Sequence, residues 1–93
     1  MGHLPVPASV FFDDFSDDVL EYFVLENDKV IGSYSGLSNS DEEGEYIGFL
    51  VTDNLQLNIG NVLQTSDMLE SYLVRCISYD RYEGKPALLK AYY

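Results

Sequence analysis

Apolar and polar residues alternate with a period of two along much of this chain, and short polar turns break the alternation every 8 to 12 residues. A period of two places successive side chains on opposite faces of a β-strand. Val19–Leu25, rich in Val, Tyr and Phe, reads as a first strand. Asn27-Asp28 is a turn signal, and Lys29–Tyr34 returns to make a hairpin. Residues 35–44 read as a polar, mobile loop with Leu37 as its one apolar anchor. Glu45–Thr52 is a third strand, with Ile47, Phe49 and Val51 on one face and Tyr46, Gly48 and Leu50 on the other. After the Asp53-Asn54 turn, Leu55, Leu57 and Ile59 alternate with Gln56 and Asn58, which predicts a half-buried strand ending at Gly60-Asn61. Val62-Leu63 is a short strand. Thr65–Glu70 fits either one helical turn or a wide hairpin loop, Tyr72–Tyr79 is a long strand, Asp80–Pro86 is a turn containing Gly84, and Ala87–Tyr93 is a closing strand.

The N-terminal end differs. Phe11, Phe12 and Phe15 fall at i, i+1 and i+4, which predicts one helical turn over Val10–Phe15. Residues 1–9, with Pro5 and Pro7, read as a flexible arm, leaving 10–93 as a single β domain. The predicted fold is mainly β: a small antiparallel β-barrel or sandwich with a short N-terminal helical turn.

Charge narrows the function. The 93 residues carry sixteen Asp plus Glu against five Lys plus Arg, a net of −11. No basic cluster occurs, so affinity-driven binding of DNA or RNA is not expected. Acidity remains compatible with plain solubility, with a surface complementary to a basic protein, or with a wall that DNA passes without sticking. No basic stretch followed by an apolar run opens the chain, and no run approaches the ~20 apolar residues of a membrane span. The expectation is a protein made in the cytoplasm, with no membrane partner.

Candidate chemistry is sparse. Asp13, Asp14, Asp17 and Asp18 lack the spacing of a calcium loop and read as a solvated acidic turn. Asp41, Glu42, Glu43 and Glu45 fall in the polar loop, where nothing supplies the burial that separates carboxylate pKa values. Cys76, the one cysteine, sits in an apolar strand pattern and reads as a buried structural thiol. His3, the one histidine, lies in the arm, far in sequence from any dyad with Cys76. The glycines match no phosphate or dinucleotide loop and fit turns and bulges. No catalytic, cofactor-binding or metal-ligating residue is assigned, and no enzymatic activity or cofactor is expected. Tyr34, Tyr46, Tyr72, Tyr79, Tyr82, Tyr92 and Tyr93 lie on or beside predicted strands, suiting both a sheet core and an interface.

These segments resemble, in order, the small head–tail joining (head completion, or connector) proteins of tailed bacteriophages. Phe11-Phe12-Asp13-Asp14-Phe15 resembles the family's opening, and Val30-Ile31-Gly32 resembles the strand after its first turn. Leu57-Asn58-Ile59-Gly60-Asn61-Val62-Leu63 resembles a Gly-Asp strand entry, with Asn61 in place of the Asp. Tyr72-Leu73-Val74 resembles a Tyr-x-Val strand, with Ser66–Glu70 lengthening the piece before it. Tyr79-Asp80, Gly84 and Leu88-Leu89 resemble the closing hairpin, although the ending Leu88–Tyr93 is unusual.

The resemblance implies a virion component without catalysis. Copies would form a homo-oligomeric ring, usually a hexamer, between the portal side of the capsid and the tail, touching portal or adaptor and tail proteins. DNA would pass through the ring without specific binding, because a negative lumen repels phosphate. The competing expectation is a small acidic inhibitor of a nucleic-acid-binding protein, such as an anti-restriction, anti-CRISPR or immunity protein, whose acids cover a basic groove.

Overall fold

A computed structural model of the chain describes the backbone of residues 2–93 and the side chains from Leu4 onward. The elements run β1 (Gly2–His3), α1 (Ala8–Asp14), a 3-10 turn (Ser16–Asp18), β2 (Val19–Glu26), β3 (Lys29–Asp41), β4 (Gly44–Leu50), β5 (Val62–Thr65), β6 (Ser71–Leu73), β7 (Cys76–Tyr82) and β8 (Lys85–Tyr92). All strands join one sheet in the order β1-β7-β8-β4-β3-β2-β5-β6. Every pairing is antiparallel except that of β1, whose two residues run parallel to Asp80 and Arg81 of β7. The fold is therefore mainly β with one short N-terminal helix, as the alternation predicts.

Register explains where the core lies. Tyr22 and Val24 of β2 pair with Tyr34 and Gly32 of β3, and with Thr65 and Leu63 of β5. Phe49 and Ile47 of β4 pair with Leu89 and Ala91 of β8. Paired residues share a face, so these side chains converge on the inside of a curled sheet. Tyr22, Val24, Ile47, Phe49, Leu57, Leu63, Val74, Leu89 and Ala91 form one buried cluster. Tyr22 and Tyr34 each meet Phe49 edge-on, with ring centroids 5.9 and 6.4 Å away.

The curl requires a glycine. A Cβ at Gly36 would stand 2.7 Å from Ile47 Cγ2 and 2.9 Å from both Phe49 and Tyr22 ring atoms. Only a residue without a side chain lets β3 bend across the core there. The sheet's hydrogen-bonded ladder stays open between its end strands β6 and β1, but the chain runs directly from β6 into β7, the strand beside β1. After β6, Val74 N–H donates to the Asn61 carbonyl and the Val74 carbonyl accepts from Gly60 N–H, both at 2.9 Å. The next residue, Arg75, donates its N–H to the Tyr92 carbonyl at 2.8 Å. The backbone thus passes from the β5 side to the β8 side within two residues, giving a barrel-like body.

Two hairpins match their turn residues. Asn27 and Asp28 take φ of 52° and 66°, and Glu83 and Gly84 take 52° and 80°. These two-residue turns need positive φ at both positions, which Asn, Asp and Gly adopt most readily.

Several sequence expectations change. Residues 35–44 are not a loop: β3 continues to Asp41, β4 starts at Gly44, and the connection is Glu42-Glu43. Polar residues suit a strand there because Ser38 and Asn39 lie in the exposed part of a hairpin whose partners supply the apolar contacts. Leu55–Ile59 is not a strand. It crosses the barrel end, where Tyr34 Oη donates to the Asn54 carbonyl at 2.6 Å and accepts from Gln56 N–H at 3.0 Å, while Leu57 plugs the core. The predicted strand Tyr72–Tyr79 divides at Val74–Arg75, and the predicted 80–86 turn contracts because β7 runs to Tyr82. The closing strand β8 is internal, paired to β4 and β7 on its two sides. Thr65–Glu70 is a hairpin loop, closed by Glu70 N–H donating to Thr65 Oγ1 at 3.1 Å. Cys76 is exposed rather than buried, because at the start of β7 its side chain falls on the outer face. The helix begins two residues earlier than expected, so Ala8 and Ser9 of the arm belong to α1.

Candidate functional site

The outer face of the sheet carries the two most structured features outside the core. Beyond the buried stripe, Tyr46 pairs with Tyr92, Gly48 with Lys90, and Leu50 with Leu88. Ser78 and Asp80 of β7 continue the same rows beside Lys90 and Leu88. Both faces of β4 are consequently covered, the inner one by the core and the outer one by these side chains and α1.

The first feature is an ionic knot. Lys90 Nζ donates to Asp41 Oδ2 at 2.8 Å and lies 3.2 Å from Asp80 Oδ2. Tyr92 Oη donates to the same Asp41 oxygen at 2.7 Å, and Lys90 Nζ sits 5.1 Å over the Tyr46 ring. The Lys90 and Asp80 side chains retain 13% and 11% exposure, so the pair is largely withdrawn from water. The hydrogen bonds from Lys90 and then Tyr92 hold the Asp41 carboxyl down at about 2. Burial pushes Lys90 downward, but its bonds to Asp41 and Asp80 outweigh this and raise it. Burial, then the bond to Asp41, lifts Tyr92 to about 12. Asp41, Lys90 and Tyr92 are thereby fixed in their ordinary charge states near neutrality. A catalytic amine needs the opposite, a lysine pushed down toward neutral pH. The knot ties the β3–β4 hairpin to β7 and β8.

The second feature is an apolar cavity of about 110 Å³ under α1, lined by Leu4, Phe11, Phe12, Phe15, Leu37 and Leu88 among others. Gly48 forms part of its floor, and Asp80 and Asn39 are its polar margin. The aromatic segment that the sequence marks thus packs as a helix across the outside of the sheet. A seven-residue helix without a side-chain cap is too short to persist alone, so this packing holds it.

The acids singled out in the sequence do not converge. Asp13 and Asp14 end α1, Asp17 and Asp18 lie in the 3-10 turn, and all four are exposed. Among the described residues, no group of three His, Cys, Asp or Glu side chains is placed to hold a metal ion. Of the acids near residue 41, Glu42, Glu43 and Glu45 are exposed. Asp41 is the correction: it is an ion-paired member of the knot. Its partner Lys90 lies 49 residues away, a distance that no local pattern reveals. The His3 side chain, and any dyad with Cys76, lies outside the described residues. Among the described residues, no helix is long and apolar enough to cross a membrane.

Charge is unevenly placed. Arg75, Arg81, Lys85 and Lys90, four of the five cations, lie on β7 and β8 or directly before them. The segments β2, β5 and β6, with turns 27–28 and 66–70, carry Glu21, Glu26, Asp28, Asp67 and Glu70 and no Lys or Arg. No protein-family model matches this chain, and neither a curated protein nor a solved structure matches it.

Proposed function

We propose that this protein is a non-enzymatic structural component of a tailed-phage virion, a connector whose copies form a ring between portal and tail around the DNA channel. The observation that carries the reading is the aromatic helix laid across a barrel-like antiparallel sheet. Phe11 to Phe15, the segment that resembles the connector family's opening, packs against the outside of that body. The other similar segments fall at framework positions: Val30–Gly32 at the β2–β3 bulge, Tyr72–Val74 at the strand crossing, and Gly84 in the last hairpin. The net charge of −11 fits a channel wall, since phosphate is repelled from it.

In this reading the strands hold the protomer and some acids face the axis. Like charges then approach one another when copies close into a ring. Screening weakens such repulsion over roughly 10 Å at about 0.1 M salt. Free protein at low salt is expected to sediment as monomer, with rings appearing as salt rises or when a preformed portal ring supplies a template.

A second reading is favoured by the base-free wing on β2, β5 and β6: an acidic inhibitor that covers a basic nucleic-acid-binding protein. It has the opposite salt trend, because screening weakens an attraction. Sedimentation across a salt series, with and without portal protein, separates the two. A salt-independent monomer that ignores portal rings and binds a nuclease at nanomolar concentration overturns the connector reading.

A further inference from the structure

One outer-face row remains uncovered. The bulge in β2–β3 sets Leu25 opposite Val30, and Leu25 also pairs with Val62, which in turn pairs with Leu73. Partners in register share a face, so Val30, Leu25, Val62 and Leu73 form an apolar stripe across β3, β2, β5 and β6. Their neighbours Val24, Leu63 and Tyr72 point into the core, which puts the stripe outside. Val30 and Leu73, at its two ends, are 59% and 58% exposed. The stripe ends on β6, a free edge of three residues. Among the described residues no element packs over its exposed ends, unlike the α1 side of the sheet.

The surroundings specify what fits. The strands and turns carrying the middle and far end of the stripe hold five acids and no base. Lys29, at the start of β3, is the one cation at the near end, where it stands opposite Glu26. A second copy brings the same acids to the contact, and nucleic acid brings phosphates, so both are repelled. A protein partner with an apolar ridge between basic residues is attracted. The spacing narrows this further. Neighbouring strands lie about 4.8 Å apart, close to the ~5.4 Å pitch of an α-helix. A helix laid across the strands therefore meets one stripe residue per turn.

We propose that this stripe docks a basic amphipathic helix of a partner protein, with apolar anchors at i, i+4, i+7 and i+11 and Lys or Arg on the flanks. This site is independent of ring formation, so its failure leaves the connector reading standing, and the reverse also holds.

The test uses the full chain with methyl-labelled Val and Leu, and two synthetic peptides: a Leu/Lys amphipathic helix with that spacing, and an oligolysine of equal charge. The amphipathic peptide is expected to shift the methyls of Val30, Leu25, Val62 and Leu73, and to bind at least tenfold more tightly than oligolysine. Leu73→Asp is expected to weaken binding at least tenfold. Val30→Ser, at the other end, is the second variant should Leu73→Asp disturb the fold, which the amide spectrum reports. Raising salt weakens the contact. Equal binding of both peptides, shifts confined to other methyls, or unchanged affinity in the folded variants overturns the proposal. So does concentration-dependent broadening of these four methyls without peptide, which makes a second copy the occupant.

Discussion

At the residue scale, Gly36 and Asp41 each control more structure than their size suggests. Gly36 lies where β3 bends over the core, and any Cβ would meet Ile47, Phe49 and Tyr22 at once. Gly36→Ala is expected to destabilise the fold by about 1–3 kcal/mol, as overpacking does in a closed core. Urea unfolding measures it, and an unchanged midpoint refutes the bend argument. Asp41 makes a pH prediction. Its folded pKa, about 2, lies below the unfolded value near 3.9. Its contribution to stability is therefore complete above about pH 4 and is lost as pH falls toward 2. Asp41→Asn should lower stability at neutral pH and flatten that acid decline. It should not abolish the decline, because Asp67 is also depressed, by its bonds from Thr65 Oγ1 and Leu69 N–H. Denaturation midpoints at pH 4, 3 and 2 for both proteins check this, and parallel curves count against the knot.

At the element scale, α1 is loosely attached and β3 is the most shared strand. The helix has seven residues, no side-chain cap, only Ala8 fully buried, and a cavity beneath it. Its amides should exchange with solvent well ahead of those of β4 and β8, whose strands are paired on both sides. Phe12→Ala should accelerate α1 exchange further and leave β4 protection nearly intact. Equal protection of α1 and β4 means the helix is part of the cooperative core. The length of β3 reflects its two roles: Lys29–Leu37 pairs with β2, and Gly36–Asp41 pairs with β4. Its polar second half looks like a loop in sequence because its apolar partners are supplied by other strands.

At the scale of the whole molecule, tyrosines set the alkaline limit. Burial, as the leading cause, raises Tyr22, Tyr46, Tyr72 and Tyr92, the last two to about 12. A phenol raised in the folded state contributes stability that is present below its unfolded pKa, near 10, and is lost as pH climbs through the folded value. Stability should therefore fall between about pH 10 and 12. Phenolate absorbance should rise at higher pH in the native protein than in denaturant, and coincident curves would sink this account.

The sequence by itself determined the class of fold: period-two alternation and Asn-Asp or Gly turns leave a β-sheet as the way to bury one face. It also marked a short helix near Phe11 and the start of β2 at Val19. What only the tertiary structure decided are the contacts that skip along the chain. Leu55, Leu57 and Ile59 alternate like a strand, yet Tyr34 draws their backbone into a lid over the barrel. Cys76 reads as buried, yet the handover at Val74–Arg75 starts β7 with that side chain outward. Asp41 reads as solvated until Lys90 and Tyr92 arrive from the far end of the chain. Local pattern reports which faces are apolar, but which faces meet depends on register, and register is fixed only when all the strands pair.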